Sequence, residues 1–369
     1  MGILCGSRTI KINKRELNQI TVENDDYSFV YSVYSSLFIL NKFKNFILKY
    51  KSKSEIYMGK TLKKIFKQNP DNENEDIRKK NSKKIIYIIK KKKNDFGKTA
   101  GSIIIQIVDL LNEEQIEGKY QGNSDNFANQ DYQIALRGYV EFHRSLYFNN
   151  KFSELIHGLL KRQIFVNQNF LYTYECFSYI ELNLVDIFNK LSSEGRVFYN
   201  SFGVPEINLI DAIKEEFSSR NSLFNGSQCI EQKSIHSTAP YLIFIINNQK
   251  KVHEQIYNYS NIGIFVYGQE LDISCLTEYA ENKNKYKISS IIKEKSINNN
   301  INNNINNNNI NNNINTNNND YNCKYININI DENGQFYYYE NNNKKYGIFN
   351  RTGYYDHVLI YKQLKNETQ

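Results

Sequence analysis

The sequence predicts an α+β fold, and three observations predict it. Apolar residues in the first third recur at spacings of three and four, from Phe29, Val30, Val33 and Tyr34 through Leu37 and Phe38 to Phe43, Phe46 and Ile47. That period is the buried stripe of an amphipathic helix. The second half instead holds short runs of β-branched and aromatic residues, of which Tyr241 to Ile246 is uninterrupted and reads as a central strand. Helical patterns thus come first and strands later, which segregates the two rather than alternating them.

Asp25 and Asp26 stand just ahead of the first helical stretch, where carboxylates cap a helix and suit its dipole. Two short helices are expected around Lys60–Phe66 and Ile103–Leu111. Between them lies NPDNENEDIRKKNSKKIIYIIKKKKNDFGK, whose apolar centre, Ile85 to Ile89, has lysines on both sides. It reads as a solvated basic insertion, 68–98, with a short strand; the alternative is an anionic docking site for nucleic acid or acidic lipid through Lys79–Lys98. A helix is expected over Asp131–Tyr147 and a short helix or turn over Phe152–Leu160. Strands follow at Leu171–Tyr174 and Ile180–Val185, then a helix over Ile207–Phe217. Beyond the run at Tyr241, Lys324–Ile330 alternates, and Gln335–Tyr339 and His357–Lys362 read as strands. Residues 297–319 are almost pure asparagine punctuated by isoleucine. They carry too little apolar surface to offset ordering and are expected to be a disordered insertion.

Bulk properties narrow the function classes. With 369 residues, 40% of them hydrophobic, the chain can bury one large core, and the net charge of +8 comes chiefly from the lysine-rich segment. Five scattered cysteines without a Cys-x-x-Cys pair argue against a disulfide framework and fit a reducing compartment, so cytoplasm or nucleus is expected. No apolar stretch is long enough to suggest a membrane span.

Six blocks, in order, carry a family resemblance. The first is Tyr27 to Phe46, YSFVYSVYSSLFILNKFKNF. The second is Phe127-Ala128-Asn129-Gln130-Asp131-Tyr132 followed by Ala135-Leu136 and Phe142. The third joins Phe152-Ser153-Glu154-Leu155-Ile156-His157-Gly158 to Tyr174-Glu175-Cys176-Phe177 and Ile180-Glu181-Leu182. Then come Asn208-Leu209-Ile210-Asp211-Ala212-Ile213, Ala239-Pro240-Tyr241-Leu242-Ile243-Phe244, and finally Phe336 to Tyr339 with His357 to Tyr361. Together they resemble the ubiquitin-specific proteases. The resemblance implies a papain-like hand: thumb helices, a palm of antiparallel sheet, and fingers. It covers 19–364, leaving a short N-terminal extension (1–18) and a C-terminal tail (365–369).

The same resemblance assigns the catalytic slots, and all but the orienting slot hold a residue that could not serve. The nucleophile slot falls on Ser28, the base slot on Lys324, the orienting slot on Glu340 or Asn341, and the oxyanion slot on Glu23. A thiol peptidase needs a thiolate, an imidazole to manage its proton, and a donor for the developing oxyanion. A serine hydroxyl ionises far above the thiol value of about 8.5, and a carboxylate at the oxyanion slot would repel the charge it should stabilise. Metal ligation fails too: of the family's two finger Cys-x-x-Cys pairs, the first falls at Val166–Asn169 with no cysteine. The second keeps Cys229 but has Gln232 in place of its partner, so no zinc or other cofactor is expected.

Three readings follow. The preferred one is a ubiquitin-specific protease-like protein without peptidase chemistry, a scaffold binding ubiquitin or a ubiquitinated protein. The second is an active deubiquitinase with a displaced nucleophile, for which Cys323 beside the base slot is the candidate. The third is a basic scaffold for RNA or acidic lipid. None of the five histidines falls in the base slot, and each is expected to be a surface or structurally satisfied residue.

Overall fold

A computed structural model describes residues 16–17, 20–22, 26–51, 57–94, 96–116, 152–201, 205–224, 226–247, 249–252, 255–258, 264–277, 284–295, 325–331, 333–340, 343–347 and 354–364. Five helices open the chain: α1 (Ser28–Phe38), α2 (Asn41–Lys49), α3 (Met58–Lys67), α4 (Glu75–Lys93) and α5 (Ala100–Ile116). A single turn at Ser153–Ile156 leads into the hairpin β1 (Gly158–Val166) and β2 (Asn169–Phe177). Next come β3 (Ile180–Asn183), α6 (Leu184–Ser193), α7 (Leu209–Glu216), β4 (Arg220–Phe224), β5 (Ser227–Ser237) and β6 (Tyr241–Asn247). The last third adds β7 (Lys285–Lys295), β8 (Tyr325–Ile330), β9 (Phe336–Glu340), β10 (Asn343–Tyr346) and β11 (Tyr354–Gln363).

These elements make three bodies. The main sheet runs β10-β9-β8-β7-β11-β6-β3, antiparallel except where β3 pairs parallel with β6, and the short strand Glu270–Asp272 adds to β7. A second antiparallel sheet, β2-β1-β5-β4, projects as the fingers. The helices α1–α5 cover one face of the main sheet, while α6 and α7 cover the other. The uninterrupted apolar run of β6 is explained by that arrangement: Tyr241, Ile243 and Ile245 join the core under α1–α5, and Leu242, Phe244 and Ile246 join the core under α6 and α7. A strand buried on both faces needs no alternation.

The opening amphipathic stretch is two helices rather than one. The chain breaks at Ile39–Leu40, where Leu40 adopts extended backbone, and the Tyr241 phenol of the main sheet accepts the Lys42 N–H of the new helix at 3.1 Å. Phe43 and Ile47 stay on the buried side, so the period survived the break while the axis did not. Asp26 does cap the start: its carboxylate accepts the Ser28 N–H at 2.8 Å. Asp25 lies outside the described residues.

The basic segment is a correction. It is not a loop with a strand but the 19-residue α4, and Ile85, Ile86, Ile88 and Ile89 belong to the core under the thumb. Its ends have strong helix chemistry. The Asn74 side chain accepts the Ile77 N–H at 3.0 Å, Glu75 and Asp76 occupy the first turn, Lys90 to Lys93 the last, and Asn94 closes it in the left-handed region at φ 63°. Ile85, Ile86, Ile88 and Ile89 are spaced i, i+1, i+3 and i+4, a helical stripe that the β-branched composition disguised.

Smaller corrections concern boundaries. Gly158–Leu160 open a strand instead of closing a helix, Leu184 and Val185 begin α6, and Ile207 sits in the strand Pro205–Asn208 ahead of α7. His157 lies at the junction of the Ser153 turn and β1, buried, and not within a helix. The expected helix at Asp131–Tyr147 and the asparagine tract fall outside the described residues.

Two carboxylates, one buried and one half-buried, tie the thumb together. Glu114 of α5 accepts the Tyr50 phenol at 2.7 Å and the Met58 and Gly59 N–H groups at 2.5 and 3.0 Å, which caps α3 from another helix. A Cβ on Gly59 would lie 2.5 Å from the Tyr50 ring, so this close approach requires glycine. Glu73, 3% exposed, accepts Tyr34 at 2.8 Å and Asn81 at 2.7 Å, joining α1 to α4. Burial pushes its carboxyl above the ordinary range, only partly opposed by those two bonds.

A folded-state value above the unfolded one means Glu73 favours folding at low pH, a contribution lost as pH rises through the folded value. The variant Glu73→Gln removes this dependence. Urea unfolding should therefore show it gaining stability relative to the parent between pH 4 and pH 7. A difference that stays flat, or shrinks, contradicts this account.

Candidate functional site

The first turn of α1 meets the first residue of β8. Ser28 is partly buried there, and its Oγ accepts the Tyr325 backbone N–H at 3.0 Å. Phe29 packs on the Tyr325 ring, with centroids 6.2 Å apart. The helix therefore presents residue 28 to the strand edge, beside the segment where the base slot was expected. Lys324 itself, Cys323, Asn341 and Glu23 lie outside the described residues. Glu340 is the last residue of β9. Because Ile328 pairs with Tyr338 and Ile330 with Phe336, the antiparallel register carries the end of β9 toward the same end of the sheet as Tyr325.

Two residues behind this edge, a polar cluster that the sequence reading missed locks helix to sheet. Ser36 of α1 lies 2.9 Å from the Ser290 hydroxyl of β7. Asn327 Oδ1 of β8 is 2.8 Å from both hydroxyls, and Asn329 Oδ1 is 2.9 Å from Ser290. Ser36 also reaches the Ser32 carbonyl at 2.8 Å. All four side chains are buried. The alternation in β8 is real, but its polar positions face α1 while Ile326 and Ile328 face the opposite core. Only the serine pair at 289–290, interrupting an apolar strand, hinted at it.

His357 is the buried histidine nearest in this packing chain, its ring 5.8 Å from that of Tyr325. Its Nε2 accepts the Gly101 N–H at 3.1 Å, and its Nδ1 faces Glu294 Oε2 at 3.5 Å. Glu294 also accepts the Tyr355 phenol at 2.5 Å. Burial, with Glu294 beside it, pushes the Tyr325 phenol far upward, so it is neutral at any ordinary pH. Both imidazole nitrogens thus have neighbours within the fold, and a Cβ on Gly101 would come 2.8 Å from Ile245 and 3.1 Å from that Nε2.

In the fingers, the hairpin turn at Asn167–Gln168 has both residues at positive φ (49° and 65°), the geometry that matches strand twist. Cys229 is buried and packs with Ile164, Val166 and Leu171. The turn and the cysteine that the resemblance linked to zinc are therefore neighbours in space, joined by apolar contact. Among the described residues no group of three or more His, Cys, Asp and Glu side chains could hold a metal ion. The other face of the finger sheet carries an exposed cross-strand row, Phe170, Phe165 and Ile230. Closer to the palm, Arg162 forks onto Glu231 at 2.8 and 2.9 Å and also reaches Glu175, holding the Glu231 carboxyl below the usual range.

A recess of about 700 Å³ lies away from Ser28, between α5, the β2–β3 link and the end of α7. Asp109, Glu113, Glu175, Glu181 and Glu216 line it against Lys233, and burial pushes the Asp109 carboxyl up. No described helix is long and apolar enough to cross a membrane.

Comparison with solved structures gives the fold. The chain is similar to the yeast SAGA DUB module carrying a Sgf73 mutant, with a TM-score of 0.58 at 12% identity over 98% of this chain and 72% of that one. It is equally similar to the Ubp8 module bound to monoubiquitin (TM-score 0.58, 12% identity, 98% and 73% covered). The Ubp8 module bound to ubiquitin aldehyde follows at TM-score 0.55 and 12% identity, with 96% and 71% covered. The chain therefore has the fold of a ubiquitin-specific protease, at very low sequence identity. No protein-family model matches the sequence, and no curated protein matches it.

If Ser28 fastens the helix to the strand, Ser28→Ala should expose the Tyr325 amide. The lost bond is worth roughly 0.5–1.5 kcal/mol, or a 2- to 12-fold faster exchange. Hydrogen exchange read at Tyr325 tests this, and an unchanged rate refutes it.

Proposed function

We propose that this protein binds ubiquitin between its helical thumb and its main sheet and does not cut it. One observation carries the reading: the residue at the expected nucleophile position is a hydroxyl whose partner across the seam is a backbone N–H. That N–H donates to Ser28, so it cannot take a proton from it. A base would have to accept that proton, and the described imidazole that packs on Tyr325, His357, already accepts from Gly101. Attack by a neutral serine without a base forfeits the activation on which both serine and cysteine peptidases rely.

Binding is a separate matter from cleavage. The solved Ubp8 complexes hold monoubiquitin and ubiquitin aldehyde on the fold that this chain shares. In this reading the cleft would hold an extended C-terminal tail by shape and backbone contacts, which do not need a thiol. With the hydroxyl in place, a captured tail would remain intact, which makes the protein a reader or a shield of ubiquitin. The fingers would support the body of the ligand without metal, through the apolar packing of Ile164, Val166, Leu171 and Cys229.

A ubiquitin C-terminal electrophile should fail to label the native chain, while isotopically labelled ubiquitin should show perturbed resonances along its C-terminal tail. Ser28→Arg should abolish those perturbations by filling the cleft. Labelling of the native chain at any residue, Cys323 included, would establish an active enzyme. Absence of ubiquitin binding by the native chain would remove the proposal altogether.

A further inference from the structure

The basic segment has a geometry that its sequence did not reveal. Between Lys42 and Lys98 the chain has 19 lysines and arginines against six acids, although its total is only +8, which leaves the remainder net acidic. The fold places the acidic recess around α5 and α7 and concentrates the positive charge on the thumb. On α4 the buried residues Asn81, Ser82, Ile85, Ile86, Ile88 and Ile89 take one side, and Tyr87 alone is buried on the other. At the helical period, Lys79, Lys80, Lys83, Lys84, Lys90 and Lys91 all fall on the other, within an arc of about 140° that runs for about 18 Å. Burial lowers the pKa of the Lys84 ammonium first, and Lys80 with Lys64 of α3 lowers it further, so Lys64 lies within electrostatic reach of this face.

This face is a surface for a polyanion, and its details choose among polyanions. A lipid surface is bound by an amphipathic helix that inserts apolar side chains, yet the apolar residues of α4 are turned into the core and Ile77 is its only large exposed hydrophobic residue. Single strands are gripped by aromatic rings open for stacking. Here the rings are covered: Lys79 and Lys83 sit 5.9 and 5.7 Å from the Tyr27 centroid, Lys91 5.8 Å from Tyr87 and Lys90 4.6 Å from Phe96. Tyr27 and Tyr87 are buried beneath them. A rigid, convex helical face studded with ammonium groups matches the phosphate rows flanking a groove wide enough for a helix, as in B-form DNA. The deep, narrow major groove of A-form RNA does not admit one. Lys91 already holds a carboxylate, Glu16, at 2.8 Å in an exposed pair that a phosphate can replace.

We propose that the lysine face of α4 binds double-stranded DNA through its phosphate backbone, without regard to base sequence. The binding is independent of the ubiquitin cleft, and either property can fail without the other.

Fluorescence anisotropy of the full chain with a labelled random-sequence DNA duplex tests it. Six lysine–phosphate contacts would give a log–log slope of affinity against salt of about −5. The exposed triple variant Lys80→Glu, Lys90→Glu, Lys91→Glu should flatten that slope by about three and weaken binding at least tenfold at 150 mM salt. The charge-matched control Lys214→Glu, Lys285→Glu, Lys362→Glu, on other parts of the surface, should change binding less than threefold. Circular dichroism of both variants verifies their folding. No duplex binding at 50 mM salt overturns the proposal. So does equal loss in both variants, or tighter binding to single-stranded oligonucleotides or to phosphatidylserine vesicles than to the duplex.

Discussion

Everything in this molecule is arranged around the contact between α1 and the strands β7 and β8. Ser36, Ser290, Asn327 and Asn329 meet there with no water-exposed alternative, and each would be costly to bury alone. Close packing already resists sliding, and hydrogen bonds from the two serine hydroxyls to Asn327 and Asn329 across the seam add a directional preference for one registry. That registry delivers residue 28 to the start of β8 and lets its hydroxyl take the Tyr325 N–H. Buried Glu73 then ties α4 to α1, and half-buried Glu114 ties α3 to α5.

The class of fold was readable because its largest signals are periodic. Phe29 to Ile47 showed a helical stripe, and Tyr241 to Ile246 showed a strand buried on both sides; both elements are present. The failures share one cause, competition between composition and spacing. Ile85 to Ile89 looked like a strand because isoleucine favours strands, yet the caps at Asn74 and Asn94 and the surrounding core decided for helix. The opening stretch looked continuous because both of its helices bury the same side, and the break is set by a phenol from residue 241, invisible at a distance of 199 positions.

The site was legible only where a linear motif carried it. Ser28 could be named from the box that surrounds it, and the fold sets it beside Tyr325, one residue from Lys324 in the chain. The polar seam and the His357–Glu294–Tyr355 cluster could not be named: Ser36 and His357 stand in family-like blocks, but their partners lie far along the chain and in none. A buried hydrogen-bond network depends on which strands become neighbours, and one sequence does not state that. Charge behaved in the opposite way. The lysine surplus was evident from the letters, but only the helix showed that six of those side chains point in one direction.

The pairing of Glu294 with Tyr325 has a consequence for how the gene can change. Adjacent rungs of the sheet are joined through a long intervening stretch dominated by a single amino acid, the kind of sequence that expands and contracts by slippage. Closing a longer loop costs only logarithmically more, about 0.6 kcal/mol for each doubling. The ladder on either side would therefore tolerate many lengths of the tract. Whatever its length, the flanking rung is the same, and Tyr325 on that rung is the residue whose N–H Ser28 accepts.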